Sequence, residues 1–499
     1  MSDVRVRVAP SPTGAPHVGT AFIALFNQLF AHAQGGKLLL RIEDTDQARS
    51  RIEHEQLLTT ALQWLGLKWD EGPDVGGDYG PYRQSERLEI YARHAADLID
   101  SGHAYHSFAT SEELAAWRAE GQRDGHPPPY ALERDVDPEA GRVRAAAGEP
   151  HVIRMKVPMQ GQCEVTDVLR APITFDLEQI DDQVLMKSDG FPTYHLAVVV
   201  DDHLMGITHV IRGEEWINST PKHLLLYEWF GWKPPIHAHL PLLLNPDRSK
   251  MSKRRNPTSI DFYRRAGFLP EALLNYLALM AYPPAPVDGG EGEEKFTTSS
   301  LGDRFELDKI NLGGSVFDLE KLRWLNGRYL REDMDGDTIL AALKNWAIND
   351  QSLAAMIPLM QSRIETLGDF MPRCAFFFAS DVTPVTDDLI PAKREAGDVA
   401  QVLQTVIWAL EALDPWSVDG VEAAVRLVSD HWDWPVRDVT KPMYAAIMGQ
   451  PVGPPLFESI ALLGTDMSRV RLQKATEQLG GISKKKARSL EKIWATRTE

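Results

Sequence analysis

The sequence predicts a multidomain protein that begins with an α/β domain built on a parallel sheet, split by an insertion, and that ends in a mainly α-helical region. Three observations support this prediction. The 499 residues are too many for a single hydrophobic core, so roughly three to five domains are expected. The N-terminal residues have the pattern of a βαβ unit, and the residues after about position 256 have mainly helical periodicity.

The predicted βαβ unit occupies the start of the chain. Residues 4–8 alternate between apolar and charged side chains, as a strand does, and the prolines and glycine within 10–16 predict a loop. Residues 20–34 place their large apolar side chains on one helical face before Gly35-Gly36 ends the helix. Residues 37–42 then form an apolar run of strand length, which predicts a strand parallel to the first.

Strand-like segments return much later, at 184–187, 196–200 and 208–212. The sequence between the two groups, roughly residues 85–189, is polar and rich in proline and arginine, which indicates an insertion into one α/β domain. Residues 283–300, with their prolines, glycines and glutamates, predict a loop.

Composition narrows the class of protein. The N-terminus lacks the pattern of a secretory signal, and no apolar run is long enough for a membrane span, so a cytoplasmic protein without a membrane partner is expected. Cys163 and Cys374 belong to no CxxC pair or Cys/His cluster, which predicts packed thiols and neither a disulfide framework nor a structural zinc.

The net charge of −18 argues against a nucleic-acid partner, but the distribution of charge is uneven. Basic residues concentrate near the C-terminus, at Arg469, Arg471, Lys474, Lys484, Lys485, Lys486, Arg488, Lys492 and Arg497. This end could hold an RNA backbone, or it could be a solvated helical tail, and charge alone favours the tail.

The first candidate phosphate site is the loop at residues 10–20. Backbone N–H groups at the start of the following helix favour an anion, and His17 can add a donor. Gly19 would allow a ligand to approach the backbone closely. The alternative is a tight turn with a capping threonine.

A second candidate site is the basic loop at residues 247–255. Its lysines could close over a triphosphate and neutralise the charge of the departing pyrophosphate. Taken by itself, such a basic run is more often a solvated surface loop.

Together the two loops change the interpretation. The segment His17-Val18-Gly19-Thr20 and the segment Lys250-Met251-Ser252-Lys253-Arg254 resemble the two signature motifs of class I aminoacyl-tRNA synthetases. Further segments resemble the bacterial glutamyl branch of that family, at residues 7–14, 40–46, 80–85, 189–197, 200–203 and 211–216.

The resemblance implies a domain organisation. A Rossmann-like catalytic domain would comprise residues 1–84 and 190–245, with an inserted acceptor-end-binding domain at 85–189. A stem-contact domain with the basic loop would occupy 246–325. Helical anticodon-binding subdomains would fill 326–499, with a break near 380.

The resemblance also implies an activity: activation of L-glutamate by ATP with Mg²⁺, followed by transfer of glutamate to the 3′-terminal ribose of tRNA(Glu). Whether tRNA(Gln) is charged as well stays open, because that choice depends on a few anticodon contacts. A monomer is the usual state of relatives with this shape.

Residue roles follow from matching positions. The resemblance places glutamate among Arg7, Ala9, Ser11, Glu43, Tyr194 and Arg212. Chemistry supports this, because two carboxylates need guanidinium partners, the ammonium needs a carboxylate such as Glu43, and Ser11 and Tyr194 offer neutral hydrogen bonds. Without the resemblance, Arg7 could be an outward strand residue and Glu43 a helix-capping acid.

The nucleotide would lie against the two loops. The resemblance assigns ATP to His17, Gly19, Thr20, Trp216, Lys250, Met251, Ser252 and Lys253, with Trp216 stacking on adenine. Catalysis, which here means aligning two anions and stabilising the transferring phosphoryl group, would fall to His17, Lys250, Lys253 and Arg254.

Two departures from the family pattern stand out. Val198 occupies a position where an asparagine is expected, which removes one hydrogen bond that could reach the amino acid. The insertion lacks the Cys-x-Cys arrangement of zinc-binding relatives, and His103, Tyr105 and His106 are too few ligands for tetrahedral zinc. We therefore expect no metal besides magnesium.

Four alternatives are weighed against this interpretation. A truncated relative that modifies a tRNA base would end soon after the basic loop, and a glutaminyl-tRNA synthetase would have strands near its C-terminus. A nucleotidyltransferase would need neither the basic tail nor the helical extension. A non-enzymatic RNA-binding protein would have no use for both phosphate loops.

Overall fold

The structure, a computed structural model, describes residues 4–123, 134, 137–252, 257–282, 293–314 and 316–496. The chain divides into two compact units. Unit 1 comprises Met1–Met251 and Leu273–Leu319, and unit 2 comprises Ser252–Ala272 and Glu320–Glu499. The finer four-domain division stays a prediction.

Unit 1 mixes strands with helices. Its elements up to residue 240 are β1 (Arg5–Val8), α1 (Val18–Ala33), β2 (Lys37–Leu40), α2 (Ile52–Trp64), α3 (Leu88–Asp100), β3 (Ala104–Ser107), α4 (Ser111–Arg123), α5 (Pro138–Ala146), β4 (Val152–Met155), β5 (Gln162–Asp167), β6 (Arg170–Asp176), β7 (Val184–Met186), α6 (Tyr194–Leu204), β8 (His209–Gly213), α7 (Thr220–Trp229) and β9 (Ile236–Leu240).

The predicted βαβ unit is confirmed. Strands β1 and β2 pair in parallel, with Arg5 opposite Lys37, and α1 connects them. All four side chains of β1 are buried, including the charged Arg7, so the alternation in its sequence does not mark one solvent-facing side. Strands β8 and β9 form a second parallel pair, and Thr208 N donates to Arg5 O at 2.9 Å beside β1.

The insertion contributes antiparallel structure. Strands β3, β4 and β7 form one sheet in that order, and β5 and β6 form a separate hairpin. Residues Asp167–Arg170 form the hairpin tip, where Val168 N donates to His237 O on β9 at 2.9 Å. The insertion therefore contacts the parallel strands directly.

One strand prediction is wrong. Residues 196–200, Leu-Ala-Val-Val-Val, lie within helix α6. All five side chains are at most 1% exposed and belong to one hydrophobic core cluster. A helix buried around its circumference loses the polar face that distinguishes a helix from a strand, and its β-branched residues then suggest a strand.

All remaining regular elements of the described residues are helical, as predicted. They are α8 (Ile260–Arg265), α9 (Pro270–Leu279), α10 (Thr298–Gly302), α11 (Leu319–Glu332), α12 (Gly336–Trp346), α13 (Asp350–Met360), α14 (Phe370–Phe378), α15 (Thr386–Leu389), α16 (Ala396–Glu411), α17 (Val418–Trp432), α18 (Val436–Met448), α19 (Leu456–Leu463), α20 (Thr465–Gln478) and α21 (Lys484–Ala495).

Helix α16 lies at the centre of unit 2. It packs against α17, α18 and α20, and its side chains Val399, Leu403 and Val406 are fully buried. Ser483 caps α21, whose only buried side chain is Leu490. None of the helices in the described residues is both long enough and apolar enough to cross a membrane.

Within the described residues up to 496, two groups of basic C-terminal residues differ in burial, and Arg497 lies outside the described residues. Arg469 and Arg471 on α20 are 3% and 2% exposed, and Arg471 donates to the carbonyl oxygens of Ile447, Phe376 and Ala379. These two arginines belong to the packing of unit 2, because their side chains are buried and their Nη groups donate to protein acceptors. The lysines at the start of α21 are exposed and fit the solvated or RNA-facing interpretations.

Candidate active site

A cavity of about 510 Å³ lies within unit 1. It brings together every residue predicted to bind glutamate and most of those predicted to bind ATP: Arg7, Ala9, Ser11, His17, Gly19, Thr20, Glu43, Tyr194, Arg212, Trp216, Lys250 and Met251. Ser252 belongs to unit 2. Lys253 and Arg254 lie outside the described residues, so their roles stay predictions.

The topology explains why these residues meet. Parallel strands place their carboxyl ends at the same edge of a sheet, and ligands of α/β proteins bind there. Ala9 follows the last residue of β1, and Gly213 is the last residue of β8. Both residues line the cavity. Helix α1 begins at Val18 beside them, so its N-terminal N–H groups face the same space.

His17 caps helix α1. Its Nδ1 accepts a hydrogen bond from Gly19 N at 2.8 Å. In the neutral ring the proton must then lie on Nε2, which can donate to an anion such as phosphate. A Cβ at position 19 would lie 3.0 Å from His17 Nδ1, so glycine also makes room for the capping ring.

Arg7 is tied to a carboxylate. Its Nε and Nη2 donate to Asp202 on α6 at 3.1 and 3.2 Å. Asp202 also accepts from Arg41 Nη1 at 2.7 Å. Although burial acts to raise it, the pKa of Asp202 is held below its ordinary value by Arg7 and Arg41. The interpretation of Arg7 as an outward strand residue is wrong, since it is 4% exposed.

Glu43 shares this buried network. Its Oε1 accepts from Arg41 Nη2 at 3.1 Å, and the side chain is buried in the segment after β2 rather than at a helix cap. Burial raises the pKa of Glu43 above its ordinary value, and Arg41 and Arg7 only partly offset that effect. An ammonium group in the cavity would add a further positive partner and favour the ionised carboxylate.

Arg212 has different partners. Its Nε donates to His239 Nε2 at 3.0 Å, its Nη1 to the Tyr194 hydroxyl at 2.9 Å and its Nη2 to Thr220 Oγ1 at 2.8 Å. Longer contacts of 3.4 Å reach His223 Nδ1 and the Trp216 carbonyl. Every one of these acceptors is uncharged.

The histidines around Arg212 stay neutral. Burial lowers the pKa of His223 well below its ordinary value, and Arg212 and His195 lower it further. Burial also lowers the pKa of His239, against the opposing effect of Asp167. The pKa of His195, whose Nδ1 lies 3.1 Å from His223 Nε2, falls to about 4, first because of burial. Neutral rings can accept from a guanidinium, which has donors only.

The side of the cavity predicted to bind the nucleotide is more exposed. Trp216 is 38% exposed, and its ring lies 4.5 Å from that of Tyr194, tilted by 35°. Lys250 Nζ donates to Glu215 Oε1 at 3.0 Å, and the lysine side chain is 60% exposed. An exposed aromatic face suits a purine, and a lysine on an exposed ion pair can exchange partners readily.

Sequence reasoning missed several residues of the site. The further lining residues are Val8, Pro10, Phe22, Ile23, Gly213, Glu215, Pro241, Leu242 and Leu243. Outside the lining, Asp202, Thr220 and His239 fix the two arginines. Val8, Pro10, Asp202, Gly213 and Glu215 lie in segments that resemble the family, but the sequence assigned them no role. The alternation of His237 and His239 is a further signal, because in a strand it places both imidazoles on one face.

The two departures from the family pattern also have structural outcomes. Val198 is 1% exposed within the core cluster around α6 and is not among the described residues that line the cavity. His103 stacks on Trp229, and His106 lies beside His151. Among the described residues no group of three or more metal-ligating side chains forms, and the absence of zinc stays a prediction.

Comparison with known proteins places the chain in a family. The family model for tRNA synthetases class I (E and Q), catalytic domain, matches residues 3–324, and an anticodon binding domain matches 338–476. The chain is 50% identical over 492 residues to a glutamate–tRNA ligase of Marinobacter nauticus, which covers 99% of both proteins. The ligase of Cellvibrio japonicus is 50% identical over 100% of this chain and 98% of its own.

A solved structure agrees with these relatives. The crystal structure of a glutamate tRNA ligase from Elizabethkingia meningosepticum, in complex with its amino acid, has a TM-score of 0.64 and 33% identity, over 96% of this chain and 100% of that one. The fold and the site therefore define a class I aminoacyl-tRNA synthetase, an ATP-using ligase. Within that class, the chain belongs to the glutamate–tRNA ligase family.

Proposed function

We propose that this protein activates L-glutamate with ATP to give glutamyl-adenylate and then transfers glutamate to the 3′-terminal ribose of tRNA(Glu). One observation carries the proposal. A single cavity of about 510 Å³ combines the guanidinium groups of Arg7 and Arg212, the buried carboxylate of Glu43 and a histidine-capped helix N-terminus. These groups complement the two carboxylates and the ammonium of glutamate and the phosphates of ATP.

Glutamate would bind between Arg7, Arg212 and Glu43. Arg212 would take one carboxylate by giving up its two 3.4 Å contacts, which are its weakest hydrogen bonds. Glu43 would accept from the ammonium group. Tyr194 and Ser11 would add neutral hydrogen bonds, with Ala9 leaving room beside them; burial raises the pKa of Tyr194 and keeps its phenol protonated.

ATP would occupy the side formed by the two loops. His17 would donate from Nε2 to a phosphate oxygen, and Gly19 and Thr20 would present the first N–H groups of α1. Trp216 would stack on the adenine, while Met251 lines the same cavity. Lys250 would exchange Glu215 for a phosphate, and the roles proposed for Ser252, Lys253 and Arg254 extend the same basic loop.

The chemical step needs positioning and charge more than covalent help. The glutamate α-carboxylate attacks the α-phosphorus of ATP, the bond to the β-phosphate oxygen breaks, and pyrophosphate leaves. His17 and the lysines of the basic loop would stabilise the negative charge on the transferring and departing groups. A ribose hydroxyl of tRNA then attacks the activated carbonyl and releases AMP.

Magnesium would enter with the nucleotide. The described residues contain no cluster of three or more side chains suited to hold a metal ion, so phosphate oxygens would be its main ligands. Bound there, Mg²⁺ would neutralise phosphate charge. We further propose that the enzyme works as a monomer in the cytoplasm, and that tRNA(Gln) is the one additional acceptor to test.

The experiment is aminoacylation with radiolabelled glutamate and glutamine, using separate transcripts of tRNA(Glu) and tRNA(Gln) with ATP and Mg²⁺. Glutamate on tRNA(Glu) alone indicates a discriminating enzyme, and glutamate on both tRNAs indicates an indirect route to glutaminyl-tRNA. Charging of neither tRNA contradicts the proposal.

A single variant tests the basic loop. Lys253→Ala should slow adenylate formation in single-turnover assays and leave tRNA affinity nearly unchanged, because the lysine is proposed to act on pyrophosphate. Unchanged single-turnover activation removes Lys253 from the mechanism.

A further inference from the structure

The β5–β6 hairpin reaches the glutamate site through one histidine. Asp167 at the hairpin tip accepts from His239 Nδ1 at 2.6 Å and from His239 N at 3.0 Å, both through Oδ2. On the other side of the imidazole ring, His239 Nε2 lies 3.0 Å from Arg212 Nε. His239 and Asp167 are almost fully buried, with side-chain exposures of 0% and 2%.

The directions of these hydrogen bonds are fixed by chemistry. A guanidinium Nε carries a hydrogen and no lone pair to share, so His239 Nε2 must be the acceptor. A neutral imidazole then has its one proton on Nδ1, which it donates to Asp167. The carboxylate of Asp167 thereby selects the tautomer that can hold Arg212. Burial lowers the pKa of His239, in agreement with a neutral ring.

The hairpin tip is itself held in place by several bonds. Asp167 Oδ1 accepts from Leu169 N at 2.8 Å, and Arg170 donates to the His239 carbonyl oxygen. Arg170 Nη2 also donates to Glu214 Oε2 at 2.7 Å, immediately after β8 ends at Gly213. The tip therefore contacts both strands that carry the site, at the positions of His239 and of the residue after Gly213.

We infer that Asp167 and His239 are positioning residues that hold Arg212 in the orientation in which it binds a carboxylate of the substrate. The inference rests on the proposed role of Arg212 in glutamate binding and adds the residues through which the insertion supports that role. Neither residue lines the cavity among the described residues, so neither is a catalytic residue.

An intervening neutral ring has an advantage over a direct ion pair. If Asp167 bonded Arg212 itself, the guanidinium charge would be neutralised before substrate arrived. The imidazole of His239 fixes the orientation of Arg212 and keeps the Asp167 carboxylate on the far side of the ring. Arg212 is then held rigidly and still attracts an anion.

Two substitutions of His239 distinguish its hydrogen bond with Arg212 from its hydrogen bond with Asp167. The amide of glutamine extends about as far as Nε2, and the amide of asparagine about as far as Nδ1. His239→Gln can therefore keep an acceptor for Arg212, whereas His239→Asn keeps only the contact with Asp167. The matched control is His237→Asn, since His237 lies on the same strand and stacks 6.0 Å from His239.

The measurement is steady-state aminoacylation of tRNA(Glu), with KM determined separately for glutamate and for ATP. We expect His239→Asn to raise the glutamate KM by about tenfold or more, because a buried charged donor loses its acceptor. His239→Gln should stay within about threefold of the wild type, and His237→Asn should match the wild type. The ATP KM should change in none of them.

Equal glutamate KM values for His239→Asn and His239→Gln overturn the inference, whether both rise or neither does. Asp167→Asn repeats the test without altering His239. Asparagine has one amide oxygen, so it cannot accept from both Leu169 and His239 as the two oxygens of Asp167 do. The support should weaken and the glutamate KM should rise, and an unchanged KM contradicts the inference. A melting curve of each variant identifies any that fail to fold.

Arg212→Ala distinguishes this inference from the function on which it rests. If Arg212→Ala raises the glutamate KM and His239→Asn does not, the positioning role is wrong and the proposed binding role stands. If Arg212→Ala leaves the glutamate KM unchanged, the assignment of Arg212 to the substrate is wrong, and the inference fails with it.

Discussion

The two arginines of the site lie in contrasting surroundings. Arg7 belongs to a buried ionic network in which the guanidinium groups of Arg7, Arg41 and Arg87 are balanced by the carboxylates of Glu43, Asp201 and Asp202. Arg212 contacts only hydroxyl, imidazole and carbonyl acceptors. The positive charge of Arg7 is therefore balanced by neighbouring carboxylates, whereas no carboxylate of the described residues contacts Arg212.

The difference indicates that the two arginines have different roles. Three positive and three negative groups leave the Arg7 network with no net charge, so its main effect is to fix geometry around Glu43. The shell around Arg212 leaves one positive charge unbalanced in a buried place, where electrostatic interactions are strong. We therefore propose that Arg212 attracts the second carboxylate of glutamate and distinguishes it from the neutral amide of glutamine.

The largest expected effect is on stability at Arg7. Arg7→Ala removes one partner of the buried Asp202, so we expect unit 1 to lose about 3 kcal/mol of stability as well as part of its affinity for glutamate. Denaturant titration, with unfolding monitored by hydrogen exchange of the backbone amides in β1 and α6, measures the loss of stability. Arg49→Ala is the control, because the exposed pair of Arg49 with Asp46 should change stability by less than about 0.5 kcal/mol. A similar loss in both variants contradicts the ionic network.

Substitution of Arg212 should have a smaller effect on stability than substitution of Arg7 and a larger effect on the use of glutamate. Arg212→Gln leaves only neutral acceptors behind, so the stability of unit 1 should fall by about 1 to 2 kcal/mol. The kcat/KM for glutamate should fall by about 10- to 100-fold, since a carboxylate loses a charge-assisted hydrogen bond. Parallel denaturation and aminoacylation assays test this. A stability loss larger than that of Arg7→Ala would remove the contrast.

The neutral histidines predict a pH dependence. Burial, followed by the charge of Arg212, lowers the pKa of His237 to about 3, against an ordinary value of 6.5. The unfolded chain takes up a proton below about pH 6.5 that the folded ring takes up only near pH 3. Stability is therefore complete above pH 6.5 and is lost as the pH falls.

For His237 the expected loss in unit 1 between pH 6.5 and pH 5 is about 2 kcal/mol, as roughly 1.4 kcal/mol accompanies each pH unit. Denaturant midpoints at both pH values measure the loss. His237→Asn should flatten the dependence. An equal slope in the variant would show that His237 is not the group responsible.

The smallest effect is expected at the exposed ion pair of Lys250 with Glu215. Glu215→Gln should change stability by less than about 0.5 kcal/mol, because both side chains are partly in water. It should lower the ATP KM by about twofold to threefold, since Lys250 no longer has to leave a carboxylate. The rate of ATP–pyrophosphate exchange, measured as a function of ATP concentration, gives this KM. A raised ATP KM would show that Glu215 assists binding instead of competing.

The sequence predicted the parts of this site that depend on local pattern. The βαβ unit followed from alternation, helical periodicity and Gly35-Gly36. Arg7 and Arg212 were assigned through the resemblance of their segments to the family. Periodicity failed at 196–200, because a helix buried on all sides has no polar face to identify it.

The residues that set the charge of the site were beyond local pattern. Asp167 and His239 are 72 positions apart, and Asp202 is 195 positions from Arg7, so only the tertiary fold joins them. Basic composition was equally ambiguous near the C-terminus, where Arg471 is buried among carbonyl groups and the lysines of α21 are exposed. Charge in a sequence does not reveal which partner neutralises it.

The most direct test of the central claim compares the binding of glutamate and glutamine to three proteins: the wild type, Arg212→Gln and Arg7→Gln. Calorimetric titration with tRNA(Glu) and a non-hydrolysable ATP analogue present gives the ratio of the two dissociation constants. We predict that Arg212→Gln loses most of the preference for glutamate, whereas Arg7→Gln binds both amino acids more weakly and keeps the preference. Loss of the preference in Arg7→Gln alone would contradict the account.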